Sequence, residues 1–156
     1  MDAMPGELAY RKLSFWHDTV PGSLEPQDPL DGDRSADVAI AGAGFTGLWT
    51  AYYLKKARPD LRVVVCEREI AGFGASGRNG GWCSALFPAS LSKLDRMSGR
   101  DAAIAMYRAM QQTVDEVGAA VAAEGIDCHW AKGGTVQLAR SAVQLERARE
   151  IGRAHV

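Results

Sequence analysis

The chain has 156 residues, 47% of them hydrophobic and 24% charged, and a formal net charge of −1. This composition excludes disordered and collagen-like chains and supplies apolar material for one ordinary core. The 18 Lys and Arg are scattered among 19 Asp and Glu, so the polyelectrolyte footprint of a nucleic-acid or anionic-membrane binder is missing and a small-molecule partner is favoured.

Met1-Asp2-Ala3-Met4-Pro5 shows no basic region ahead of an apolar core, and no apolar run is long enough to span a bilayer. A cytoplasmic protein is the reading that follows. Between residues 18 and 35 lie Pro21, Gly22, Pro26, Pro29 and Gly32, a density of breakers that forbids a regular element. Residues 1–35 are therefore expected as an extended lead-in, with Phe15 and Trp16 packing onto the main body.

The fold proper starts at Asp37. Val38-Ala39-Ile40-Ala41 is a short buried-strand run, followed by a glycine turn and a helix whose Leu48, Ala51 and Tyr52 share a face. Pro59 ends that helix, and Leu61 to Cys66 follow as a β-branched strand. Strand, helix and strand in about 30 residues require a parallel pair joined by a crossover, one βαβ unit.

Further on, Ala103, Tyr107, Met110, Val114, Val117 and Val121 recur at steps of four and three, lining one side of a long helix between Asp101 and Glu124 that Gly125 ends. Thr135 to Ala139 alternate as in a half-buried strand. Ser141 and Gln144 form a capping-box pattern that opens a last helix with Leu145 and Ala148 inward. No repeat or low-complexity segment is present.

Two glycine-rich stretches carry the chemistry. Gly42-Ala43-Gly44-Phe45-Thr46-Gly47 is a G-x-G-x-x-G pattern set between the expected strand and helix. There Gly42 permits the tight turn, Gly44 lets a pyrophosphate approach the backbone, and Gly47 lets the helix press on the strand. The helix amino terminus adds N–H groups and partial positive charge. Glu67 ends the second strand, 20 residues after Gly47, the place of an acid that bonds a ribose diol and repels a 2′-phosphate. Strand, turn, helix and acid in register point to dinucleotide binding.

Ala71 to Gly81 follow as the second stretch. Its backbone amides, with Ser76, Asn79 and the Arg78 guanidinium, suit a further run of phosphate and polyol. An ordinary flexible surface loop is the alternative reading of the same residues.

Asp37 to Gly47, Glu67-Arg68 and Gly74-Ala75-Ser76-Gly77-Arg78-Asn79-Gly80-Gly81 resemble the D-amino-acid oxidase-like FAD-dependent oxidoreductases, nearest to the gamma-glutamylputrescine oxidase-like branch. The Ser14-Phe15-Trp16 segment and its proline-rich lead-in resemble the start of that branch too. The resemblance implies a Rossmann-like α/β fold, with a parallel sheet and flanking helices. It also implies a FAD-linked oxidation in which an amine or amino-acid C–N bond loses a hydride to flavin N5, leaving an imine, with O₂ as acceptor. It assigns Gly42, Ala43, Gly44, Phe45, Thr46 and Gly47 to the pyrophosphate, Glu67 and Arg68 to the adenosine ribose end, and Ala75, Ser76, Gly77, Arg78, Asn79 and Gly80 to the approach to the isoalloxazine. None of these is a proton-transfer residue, so no catalytic residue is assigned.

Some relatives tether FAD through a His in the second segment or a later Cys. Here Arg78 and Asn79 stand in that segment, and His17, His129 and His155 lie elsewhere in the sequence. Cys83, beside Trp82, reads as a packed residue, so FAD is expected to bind non-covalently. Cys66, Cys83 and Cys128 include no C-x-x-C pair, and His129 has no second ligand at metal spacing, so neither a disulfide framework nor a metal site is expected.

The resulting organisation is a lead-in over 1–35, a FAD-binding domain over 36–125, and the start of an α+β substrate domain over 126–156. The chain is read as an amino-terminal fragment, inactive alone, with its substrate contacts downstream of Val156. Two other functions share these signals: a FAD-dependent dehydrogenase of another substrate class such as hydroxy acids, and a non-catalytic NAD- or FAD-binding module.

Overall fold

The computed structural model describes residues 6–134, 136 and 138–154. They form two compact units, the first ending at Gly81 and the second beginning at Trp82.

The first unit holds α1 (Glu7–Arg11), α2 (Phe15–Thr19), β1 (Val38–Ala41), α3 (Phe45–Ala57), β2 (Val63–Cys66) and a single 3₁₀ turn over Ala75–Gly77. The strands pair in parallel, Val38 opposite Val63 through Ala41 opposite Cys66, so the expected βαβ unit is present. Val38 and Ile40 are half-buried while Ala39 and Ala41 are exposed, the alternation of a strand covered on one face. The helix stops at Arg58, ahead of Pro59, where Lys55 Nζ donates to the carbonyls of Pro59 and Leu61. Its inward face differs from expectation: Ala51 and Tyr52 are half-buried with Trp49 and Leu54, whereas Leu48 is 44% exposed. Trp49 meets Tyr52 edge-on at 5.6 Å, an i,i+3 pair within the helix.

The open end of the ladder is pinned by charge. Asp37 receives the Arg62 guanidinium at 2.9 and 3.2 Å and the Arg62 amide at 2.8 Å, which lowers its pKa to about 2 from 3.8. A depressed folded-state pKa means stabilisation that is full above the unfolded value near 3.8 and lost as pH falls toward about 2. Asp37→Asn is therefore expected to flatten the loss of stability between those pH values while leaving the neutral-pH fold intact. Chemical denaturation at pH 2 to 7 checks this, and an unchanged acid limb would refute it.

The lead-in is not extended throughout. Residues 7–19 carry two short helices, and only from Val20 onward does the proline-rich stretch run without regular structure until β1. Ser14 makes the difference locally, because its hydroxyl caps α2 by accepting from the His17 amide at 3.2 Å.

The second unit holds α4 (Leu91–Ser98), α5 (Arg100–Ala123) and α6 (Ala142–Ala154). The expected stripe of α5 is its inner face: Ala103 is buried, and Tyr107, Met110, Val114, Val117 and Val121 are half-buried. Gly125 follows at φ +62°, the left-handed residue that closes a helix. Helix α4 had no periodic signal of its own, but Ser90 caps it by accepting from the Lys93 amide. Ser141 accepts from the Gln144 amide at 3.2 Å at the start of α6, and the Gln144 side chain returns to the Arg140 amide. Leu145 is 42% exposed and Ala148 half-buried, so only the latter turns inward.

The expected strand at 135–139 is not borne out where it can be seen. Thr135 and Gln137 lie outside the described residues, while Val136 and Leu138 are in no strand and are 87% and 83% exposed. Alternation makes a strand only when another strand pairs with it, and among the described residues β1 and β2 pair with each other alone. No helix among the described residues is long and apolar enough to cross a membrane.

Candidate functional site

The first turn leaves the ladder at Gly42, whose amide still donates to Cys66 O at 2.7 Å. Gly42 has φ +99° with open space around its missing Cβ, so backbone conformation demands the glycine. At Gly47 the demand is steric, since a Cβ there would lie 2.0 Å from Gly42 O and 3.2 Å from Ile40 Cγ2. Gly44 is the N-cap of α3 and has no side chain to cap it. In its place Ser76, from the second stretch, accepts from the Phe45 amide at 2.9 Å, and a Cβ on Gly44 would come within 2.9 Å of that hydroxyl.

Glu67 joins the end of β2 to this turn. Its Oε2 accepts from the Ala43 amide at 2.8 Å, and Oε1 from the amides of Arg68 at 2.9 Å and Glu69 at 3.3 Å. The Ala43 amide is the main cause that lowers the Glu67 pKa, keeping the group an anion. Ala43 is buried, and its carbonyl accepts from Gly72 at 2.9 Å, so the two glycine-rich stretches meet through one residue. The Arg68 side chain is 83% exposed and reaches Glu69 at 3.3 Å.

The second stretch is folded onto itself. Arg78 Nε donates to Phe73 O at 2.8 Å with its guanidinium over the Phe73 ring, and the Asn79 amide donates to Ser76 O at 2.7 Å while accepting from Gly81 N at 2.7 Å. Both side chains, expected as groups offered to a ligand, brace the turn of Ala75–Gly77 instead. Gly74, Ala75, Arg78, Asn79 and Gly80 are nevertheless exposed, and Arg78 is held through Nε.

Residues from the lead-in complete the site, and sequence reasoning missed most of them. Tyr10 is buried, donates to Glu69 Oε2 at 3.0 Å and stands edge-on to Phe73. His17 is buried against Gly77, where a Cβ would lie 2.6 Å from its Cε1. It is thus remote from the second stretch in sequence and adjacent to it in space. Ser14 Oγ donates to Gly77 O at 2.6 Å, and Trp16 Nε1 to Asn79 O at 2.7 Å. The expected packing of Phe15 and Trp16 is corrected in part: Phe15 is 68% exposed, whereas the Trp16 ring, 42% exposed, lies against Gly81. Ser14 ahead of His17 at capping distance was the one local signal available.

These groups suit a dinucleotide: a helix amino terminus capped only by the Ser76 hydroxyl from the second stretch, for phosphate, and beside it a carboxylate held ionised at the end of β2, for a diol. The family description FAD dependent oxidoreductase (DAO) matches residues 37–156. The chain belongs to that family. Membership implies FAD as the cofactor. Among curated proteins, the probable oxidoreductase OrdL of Haemophilus influenzae is 35% identical over 105 residues, 67% of this chain and 24% of the relative. The gamma-glutamylputrescine oxidoreductase of Escherichia coli is 34% identical over 109 residues, 70% of this chain and 25% of the relative. The thiamine thiazole synthase of Aspergillus oryzae is 42% identical over 59 residues, 38% of this chain and 18% of the relative. The chain spans about a quarter of the length of the first two relatives. No solved structure matches.

Proposed function

We propose that this flavoprotein oxidises the C–N bond of a small amine or amino acid to an imine, with O₂ as the final acceptor. The similarity to gamma-glutamylputrescine oxidoreductase carries the choice of substrate class. FAD supplies the two-electron acceptor for that step. In this reading the α3 amides at Gly44 to Gly47 and the Ser76 hydroxyl bind pyrophosphate, and Glu67 binds the adenosine ribose with Arg68 at its rim. Ala75 to Gly80 lead toward the flavin ring. Residues 36–125 are the FAD-binding domain with α5 as scaffold, and 126–156 open the substrate domain.

FAD is held without a covalent bond. No His or Cys stands among residues 75–80; Cys83, expected as a packed residue, is exposed, as is Trp82 beside it, and desolvation pushes the Cys83 thiol up. His17, though beside Gly77, is buried with Nδ1 2.7 Å from Ser14 Oγ.

Anaerobic mixing of the full-length protein with amines, amino acids and 2-hydroxy acids tests the substrate class. Flavin bleaching by an amine or amino acid, followed on aeration by peroxide in equal amount, is the expected result. Bleaching by hydroxy acids alone would establish the dehydrogenase alternative. Acid precipitation is expected to release the yellow colour into the supernatant, and colour retained in the pellet would disprove non-covalent binding.

A further inference from the structure

The carbonyl oxygens of Phe73 to Gly77 and of Asn79 in the second glycine-rich stretch are engaged by donors of the protein. Those of Phe73, Gly74, Ala75 and Ser76 accept from within the stretch itself: from Arg78 Nε, the amides of Gly77 and Arg78, and Asn79 Nδ2. The carbonyls of Gly77 and Asn79 are taken differently. Their donors are Ser14 Oγ and Trp16 Nε1, each 63 residues earlier in the chain. A carbonyl oxygen is the negative end of its peptide unit, so engaging the carbonyls of Phe73 to Gly77 and of Asn79 with donors of the protein leaves less negative charge for a ligand to meet. That suits a ligand rich in acceptor oxygens and nitrogens.

The same arm explains two glycines that a ligand would otherwise be invoked for. A Cβ on Gly77 would lie 2.2 Å from Gly72 O and 2.6 Å from His17 Cε1, and one on Gly81 would lie 2.4 Å from Trp16 Cζ2. Both glycines are thus shaped in part by the arm that packs on them. Ser14 is the hub of this contact, because its oxygen lies 2.6 Å from Gly77 O and 2.7 Å from His17 Nδ1. A hydroxyl has one proton to give. Donating it to the carbonyl requires the His17 proton to sit on Nδ1, so the ring holds the hydroxyl aimed at Gly77. The arm lies outside residues 37–156, which the family description matches.

We propose that the arm of α1 and α2 belongs to the cofactor site, with Ser14 and Trp16 as positioning residues. They engage the Gly77 and Asn79 carbonyls, so that these oxygens do not turn toward FAD and the amides of residues 75–80 other than Gly77 and Arg78, which donate within the turn, are left to it. This rests on the reading that residues 75–80 face the cofactor.

The test uses the full-length protein stripped of flavin and titrated with FAD. It reads the Kd from flavin fluorescence, the visible circular dichroism of the bound flavin, and the unfolding midpoint of the apoprotein. Ser14→Ala and Trp16→Phe are each expected to weaken FAD about tenfold, one hydrogen bond's worth, and to alter the flavin dichroism. The apoprotein midpoint is expected to stay near wild type, and Ser14→Thr to restore both flavin readouts. Trp16→Phe keeps the partly exposed ring, so it yields folded protein even where Ser14→Ala does not. Ser76→Ala serves as the reference inside the stretch. If Ser76→Ala weakens FAD while both arm variants keep the wild-type Kd and dichroism, the arm proposal is overturned and the cofactor reading stands. If Ser76→Ala also binds FAD as wild type does, the reading of the stretch fails with it. Weaker binding matched by an equal loss of apoprotein stability, with unaltered dichroism, likewise overturns the positioning role.

Discussion

The Gly47→Ala variant of the full-length protein is expected to emerge colourless and to unfold at markedly lower denaturant than wild type. The added methyl would stand 2.0 Å from Gly42 O, a backbone atom at the crossing of β1 and α3, with Ile40 Cγ2 behind it at 3.2 Å. No side-chain rotation relieves that contact, so α3 has to move off the strand. Overpacking of this kind costs about 3 kcal/mol. The displacement also carries the helix amino terminus away from Ser76, which accepts from Phe45 N, and so removes the phosphate donors together. Gly74→Ala is the control, since a Cβ there meets nothing within 4 Å and its φ is an ordinary −77°. That variant is expected to stay within about 0.5 kcal/mol of wild type. A Gly47→Ala protein that retained stoichiometric flavin and a wild-type unfolding midpoint would show that the helix is not pressed on the turn as described.

Local signals account for what the sequence revealed. β1, α3 and β2 follow from short β-branched runs around a glycine turn, and the inner face of α5 follows from six residues at steps of three and four. Glu67 was singled out by its distance along the chain from Gly47, and its carboxylate accepts from the Ala43 amide of that same turn. Arg78 and Asn79 were read as ligand groups from their chemistry, yet their side chains bind the backbone beside them. Side-chain chemistry states what a group is able to bond and leaves open which partner is nearest. Tyr10, Ser14 and His17 gave almost nothing away, because their partners at Glu69 and Gly77 lie about sixty residues downstream and no periodicity spans that interval. Val136 and Leu138 show the converse, a local alternation with no neighbouring strand to realise it.

Glu67→Ala is expected to weaken FAD binding about a hundredfold, because two roles end with one carboxylate. An ionised carboxylate has roughly four acceptor sites, and the amides of Ala43, Arg68 and Glu69 engage it at 2.8, 2.9 and 3.3 Å. Capacity therefore remains for a ribose hydroxyl, and a charge-assisted bond of this type contributes about 1.5 to 3 kcal/mol. The alanine variant loses that bond and also releases the Ala43 amide, loosening the turn that carries Gly42 and Gly44. Glu67→Gln separates the two effects. Its remaining amide oxygen is able to hold the Ala43 N–H, so the turn is expected to persist while the charged acceptor for ribose is gone, giving an intermediate Kd. The pH dependence follows from the lowered pKa of Glu67. A carboxylate depressed in the folded state stabilises fully above its unfolded value of 4.5 and loses that contribution as pH falls through the lower folded value. If Glu67 also binds the ribose as an anion, FAD affinity is expected to hold down to pH 4.5 and to weaken only as pH falls through the lowered folded-state pKa, and in Glu67→Gln this part of the acid dependence should be absent. Titration of FAD binding from pH 7 downward measures both. Wild-type affinity in Glu67→Ala would mean that the acid closing β2 serves the turn alone and that the ribose lies elsewhere.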